Sequence, residues 1–203
     1  MSSESTVFHW EHFVAGDTAS FEPLFRGFYQ GLYGYGIKLC RDSQLVEDAI
    51  QDLFEGLWRK RDHLAHITSP NVYLFVSLRR NLLRSLKKAT QFDDLDHTDV
   101  EEWQISFNPE DLIVKKEINS QQKSELHRAL NQLTNQQKEV LFLHYYNGMS
   151  YEEIEEILCI NRQSVRNQMH RTMQVLRTVL NMDIMRLVIS ILLCLSFMIT
   201  YLT

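Results

Sequence analysis

The 203-residue sequence predicts an all-α protein with two helical domains joined by an acidic linker, the second a helix-turn-helix, then a C-terminal hydrophobic helix. Three observations predict it. Apolar residues recur at three- and four-residue spacing through 18–39 and 44–60, the repeat that makes one face of an α-helix. Strand-like alternation is absent, and only Pro23, Pro70 and Pro109 interrupt the chain. Two helix starts are explicit: Ser150 with Glu153 three residues later, a capping box, and Asn161 ahead of a second helical run. The expected parts are a helical domain over 10–90, a linker over 91–109, a second domain over 110–180 and a hydrophobic tail over 184–203.

In chain order, 18–39 is an amphipathic helix built on Phe21, Leu24, Phe25, Phe28, Leu32, Tyr35 and Leu39. Gly27, Gly31, Gly34 and Gly36 lie inside it, and interior glycine costs about 1 kcal/mol relative to alanine. Such glycines suit a face against which another helix packs closely. The next helix, 44–60, pairs Leu45/Val46, Ala49/Ile50, Leu53/Phe54 and Leu57/Trp58 on one side, with Glu47, Asp48, Gln51, Asp52 and Glu55 on the other. Ser69 as cap and Pro70 at the first position open a third helix, whose apolar content is Val72, Tyr73, Phe75, Val76, Leu82, Leu83 and Leu86. That helix closes on RRNLLRSLKK, which holds Arg79, Arg80, Arg84, Lys87 and Lys88 and no acid. A solvated face is the simpler reading; a surface that tracks phosphates beside aromatic residues is the functional one.

From 91 to 111 the chain carries eight acids and no Lys or Arg, a composition too acidic to fold alone. Asn108-Pro109 then announces a helix over 110–132. In the helix-turn-helix, Ser150 caps the first helix, Ile154, Ile157 and Leu158 form its inner stripe, and Cys159-Ile160 make the turn. The helix after Asn161 carries Arg162, Arg166, Arg171 and Arg177, with no acid before Asn181. A basic helix behind a short turn is the geometry that enters a DNA major groove. Val165, Met169, Thr172, Val175 and Leu176 fit its packing face. Gln163, Asn167, Gln168 and His170 have side chains that can read base edges, as Arg reads guanine; the sequence leaves open which of them do.

After Arg186, seventeen residues follow without a charge, and their few polar members share no face. A helix apolar all round is buried or in lipid. A span needs roughly 17–20 residues, which 184–203 supplies with Arg186 snorkelling. The expectation is a membrane tail anchor, the alternative a buried or oligomer-forming helix. Arg171, Arg177 and Arg186 precede it and would keep the domains on the cytoplasmic side, at the inner face of the membrane.

Net charge is −5, so DNA affinity must come from local patches. Cys40, Cys159 and Cys194 are far apart, which points to a reducing compartment without a disulfide framework. The polar start, followed by no apolar run, is not a signal peptide. Neither a phosphate-binding glycine loop nor a nucleophile motif occurs, so no cofactor and no enzyme activity are expected. His63/His66 and His9/His12 have metal-like spacing but lack a Cys or acidic partner, which favours solvated or capping roles.

Two blocks carry a resemblance. FEPLFRGFYQGLYGYGIKLC, LVEDAIQDLFEGLWRKRD and SPNVYLFVSLRRNLLRSLKK resemble the second conserved region of bacterial sigma factors, and 133–177 resembles their fourth. With nothing recognisable between, 10–180 resembles the extracytoplasmic-function branch of the sigma-70 family. The resemblance implies a protein that binds core RNA polymerase and directs initiation by recognising two promoter elements. It implies that Asp48, Gln51, Asp52 and Glu55 dock on the coiled coil of the polymerase's largest subunit. Arg79, Arg80, Asn81, Arg84, Lys87 and Lys88 would hold the downstream element as it melts. The loop 62–69 would receive an unstacked base, whose removal from the stack costs a few kcal/mol. Arg162, Gln163, Arg166, Asn167, His170 and Arg171 would read the upstream element, beside a contact with the flap of the second-largest subunit. The acidic linker would thread toward the RNA path, and an anti-sigma factor is a further expected partner.

Two residues depart from the family pattern: Glu155 stands where a small residue is common, and Cys159 where glycine is. Glu155 must point outward or tilt its helix, and Cys159 must make the turn without glycine's freedom. A DNA-binding regulator acting without polymerase would explain 133–177 equally well, but not the acidic helix or the basic 79–88. A membrane-tethered regulatory scaffold would put the function in the tail.

Overall fold

The computed structural model describes residues 3–93 and 120–180. Residues 94–119, with most of the expected linker 91–109 and the first part of the expected helix 110–132, and residues 181–203, with the whole expected tail 184–203, lie outside the described residues. Among the described residues there are eight α-helices and two short 3-10 turns, and no helix is long and apolar enough to cross a membrane. The chain divides into two compact units, one holding 3–93 and the other 120–180.

The first unit packs α1 (Ser3–Val14), α2 (Phe21–Cys40), α3 (Ser43–Lys60) and α4 (Pro70–Asp93). Helix α1 is an addition to the sequence expectation, which began the domain at 10 but placed its first helix at 18–39. Its start is polar and its packing rests on few residues, so the periodicity is too short to read. Trp10 and Phe13 are nonetheless 3% and 0% exposed. Phe13 sits 5.5 Å from Phe21 and 6.2 Å from Trp58, ring centre to ring centre, and Trp10 lies 6.2 Å from Tyr73. The expected helix 18–39 divides into a 3-10 turn, Thr18–Ser20, and α2. Asp17 makes the division: its carboxylate accepts the Ala19 N–H at 3.0 Å and the Ser20 hydroxyl at 2.7 Å. Helix α2 stops at Arg41, whose φ of 54° is left-handed, and Asp42 at once caps α3 by accepting the Leu45 N–H at 3.1 Å.

The core of this unit is Leu24, Phe28, Leu32, Tyr35 and Leu39 of α2 with Val46, Ile50, Leu53 and Leu57 of α3 and Leu74, Phe75, Leu78 and Leu82 of α4. Each such side chain contributes about 1.5–3 kcal/mol when fully buried. Of the four α2 glycines, Gly36 is the one that is fully buried. A Cβ there would stand 2.7 Å from Val46 Cγ1 and 3.4 Å from Leu82 Cδ1, so three helices converge on it. Gly27 is exposed and has no such reason.

In the second unit, α5 (Ser120–Asn131), α6 (Asn135–Tyr145) and α7 (Tyr151–Leu158) all pack on α8 (Arg162–Val179). The expected helix 110–132 is present as α5 over the described part. A Thr134/Gln137 capping box starts α6 and a Ser150/Glu153 box starts α7, each closing two backbone N–H groups reciprocally. Ile154, Ile157 and Leu158 are buried as the spacing predicts. Cys159 makes the turn at φ 55°, ψ 41°, with both its own N–H and that of Ile160 directed at the Glu155 carbonyl. Glu155 is half-buried. Asn161 then caps α8 by accepting the Ser164 N–H at 2.8 Å.

Candidate nucleic-acid and partner interfaces

Helix α8 is two-faced. Val165, Met169, Thr172 and Leu176 are buried, and the Thr172 hydroxyl is satisfied by donating to the Gln168 carbonyl at 2.8 Å. Arg162, Gln163, Arg166, Asn167, His170 and Arg171 are all exposed. At 3.6 residues per turn, Gln163, Asn167 and His170 run down the middle of that face. Arg162 and Arg166 flank it on the side of α7, and Arg171 on the other. Gln163 Nε2 donates to Asn167 Oδ1 at 3.0 Å, so the two amides form one polar unit. Gln174, also exposed, extends the same face and was not singled out from sequence.

Two sequence expectations change here. Gln168, a candidate base reader, is half-buried and donates to Gln136 Oε1 of α6 at 2.7 Å, a packing role. The arginines also do not all lack an acidic partner: Arg162 Nη2 pairs with Glu152 Oε1 across the turn. Beside them, burial pushes the Tyr151 phenol above its usual range, while the positive charge of nearby Arg166 pulls the other way. The first turn of α7 therefore touches the side chains of the first turn of α8, a contact that spacing along the chain does not reveal.

On α4, Arg80, Arg84, Lys87 and Lys88 form one exposed stripe, with Arg79 and Asn81 half-buried at its edges. Asn81 lines a cleft of about 490 Å³ between α3 and α4, together with Asp52, Gly56, Lys60, Tyr73 and Ser77. This concavity lies beside α4, a second candidate for the base alongside the loop 62–69. That loop holds a buried Leu64 and a further turn closed by the Ile67 N–H on the Leu64 carbonyl.

On α3, Asp48, Gln51, Asp52 and Glu55 are exposed, as predicted. Gln44 donates to Asp48 at 2.8 Å and Gln51 to Glu55 at 3.0 Å, bonds that hold these side chains along the helix. The four do not all border the same hollow. Gln51 and Glu55 rim a groove of about 550 Å³ between α2 and α3 that also takes in Phe21, Phe25, Tyr29, Phe54 and Trp58, whereas Asp52 lines the α3–α4 cleft. The aromatic groove was not anticipated. Its signal was the four-residue spacing of Phe21, Phe25, Tyr29 and Tyr33, of which Phe21 and Phe25 were assigned to the core alone. Phe25 and Phe54 meet edge-on at 4.9 Å, Phe21 and Trp58 at 5.1 Å, and Tyr29 stacks on Tyr33 at 5.8 Å. Of the paired histidines, His63, His66 and His12 are exposed and His9 is half-buried.

The chain matches the profile of Sigma-70 region 2 over residues 24–92 and that of Sigma-70, region 4 over residues 123–176. It is similar to the ECF RNA polymerase sigma factor SigX of Bacillus subtilis, 24% identical over 174 residues that cover 82% of this chain and 86% of the relative. It is also similar to the ECF RNA polymerase sigma factor SigK of Mycobacterium tuberculosis strain H37Rv, 20% identical over 172 residues, 84% of this chain and 91% of that one. Solved structures share the fold. CnrH, in complex with the cytosolic domain of CnrY, aligns with a TM-score of 0.57 at 16% identity, over 86% of this chain and 96% of CnrH. RpoE from Bartonella quintana, in complex with the anti-sigma factor NepR, aligns with a TM-score of 0.58 at 22% identity, over 80% and 98%.

Two sigma-70 regions in order on one chain define the class, a non-enzymatic subunit of transcription initiation. The chain belongs to the sigma-70 family, in its extracytoplasmic-function branch. As such it joins core RNA polymerase and directs it to promoters.

Proposed function

We propose that the work of initiation is divided among three exposed helix faces. Asp48, Gln51, Asp52 and Glu55 on α3 dock on the coiled coil of the polymerase's largest subunit. Arg80, Arg84, Lys87 and Lys88 on α4, with Arg79 and Asn81 at the edge, hold the melted downstream element. The α3–α4 cleft takes the unstacked base. Arg162, Gln163, Arg166, Asn167, His170 and Arg171 on α8 read the upstream element in the major groove, and the same unit meets the flap of the second-largest subunit. The carrying observation is that α8 turns Arg162, Gln163, Arg166, Asn167, His170 and Arg171 to solvent, Gln168 alone of its candidate readers being half-buried, while its opposite face is core. A helix packed in this way has its polar face available to a groove.

The test is run-off transcription on genomic fragments with purified core polymerase, with and without the full chain. Core-dependent transcripts from a discrete set of start sites are expected. Fragment binding by the chain alone, with no gain in core-dependent initiation, would sink this division of labour.

An anti-sigma partner is supported by the RpoE neighbour, solved with the anti-sigma factor NepR. The uncharged stretch within 184–203 supports tethering of the cytoplasmic domains to the inner face of the membrane. Extraction of membranes with carbonate decides it: a protein that washes off does not span.

A further inference from the structure

Arg162 opens α8 and Glu152 is the second residue of α7, and the short turn sets them side by side as an ion pair. Closing the helix ends does not require that pair. Ser150 and Glu153 cap α7 reciprocally, and Asn161 caps α8, which leaves the Glu152 carboxylate available to reach across. Among the described residues Arg162 is the one arginine of α8 with such a partner. Both side chains are about half exposed, at 50% and 51%, so the pair adds little to stability.

Its effect is on where a flexible cation points. An arginine at the start of a recognition helix stands near both the phosphate backbone and the base edges. Left to itself, the guanidinium settles on the dense negative charge of the backbone, a contact that carries no sequence information. The guanidinium is a planar fork of five donors. With Nη2 engaged by Glu152, it keeps further donors for the O6 and N7 acceptors of a guanine. The same carboxylate repels phosphate.

We propose that Glu152 is a specificity-determining positioning residue, holding the Arg162 guanidinium off the phosphate backbone and presenting it to a base edge of the upstream element. This rests on the reading of α8 as the upstream-element helix. It also means that Glu152 lowers affinity for DNA in general while sharpening the choice of site.

The experiment uses the full chain assembled with core polymerase and duplex promoter fragments randomised through the upstream element, selected at several salt concentrations. Wild type is compared with Glu152→Ala, Glu152→Gln and Arg162→Ala. Arg162→Ala is expected to abolish the preference at one base pair. Glu152→Ala is expected to lower that same preference about tenfold, to tighten binding to unselected sequences, and to steepen the log–log salt slope by about 0.9 as Arg162 moves to a phosphate. Glu152→Gln, whose amide oxygen accepts the same bond, should restore part of the preference. Unchanged thermal unfolding in the Glu152 variants keeps the effect from being one of folding. If Glu152→Ala retains the preference that Arg162→Ala loses, the role of Glu152 is refuted and the reading of α8 survives. If Arg162→Ala alters neither affinity nor preference, the reading of α8 at that residue fails, and the role of Glu152 with it.

Discussion

At the scale of single residues, the turn of the helix-turn-helix carries a built-in strain. Cys159 holds a left-handed backbone without being glycine, which costs an ordinary residue about 1–2 kcal/mol. Cys159→Gly should therefore stabilise the second unit, by about 0.5–1 kcal/mol once glycine's larger unfolded-state entropy is subtracted. A higher urea midpoint with unchanged promoter preference is the expected result. Tyr145 and Tyr151 give a pH prediction. Burial raises both phenols above 10.0, so the folded state keeps their protons more tightly than the unfolded state does. Their contribution is whole below about pH 10 and is lost as pH rises through the higher folded values. Urea midpoints measured from about pH 8 to 11 should fall at the alkaline end, and less so in Tyr151→Phe. The caps at Ser150 and Asn161 were legible in the sequence because their partners lie within three residues. The Glu152–Arg162 pair was not, because it depends on the angle at which two helices meet.

At the scale of helices, α2, α3 and α4 were readable from their apolar repeats, while α1 was hidden by its polar start. Gly36 is where the three readable helices come closest. Gly36→Ala forces a methyl group into Val46, and overpacking of this kind costs about 1–3 kcal/mol. The loss should appear as a lower melting temperature, and Val46→Ala should return part of it. The basic stripe of α4 makes a separate prediction. Arg84→Ala and Lys88→Ala should each flatten the salt dependence of open-complex formation, by about 0.7 in log–log slope for a single strand. They should leave the base preference at the upstream element unchanged. The aromatic groove between α2 and α3 shows why helix reading stops short of surfaces. Spacing identifies an apolar face, but not which part of it a neighbouring helix leaves uncovered.

For the whole molecule, the all-α class and the order of the two basic helices were present in the sequence, since both follow from local patterns. The net charge of −5 accords with a subunit whose DNA affinity is borrowed from polymerase. Reversing charge on α3, Asp48→Lys with Asp52→Lys, should weaken assembly with core polymerase about tenfold or more. Helical content should be unchanged, because both side chains are exposed. Competition against wild type for limiting core measures it. The charges of the second unit are also sorted: α7 reads YEEIEEIL, with four glutamates, while α8 carries its arginines and no acid. A body with one negative edge and one positive face feels a torque in the field of a polyanion. It is turned so that α8 leads before any contact forms. Beyond the one carboxylate paired with Arg162, the acidic helix thus acts on the rate of productive encounter, and this influence is greatest at low salt, where the field reaches furthest.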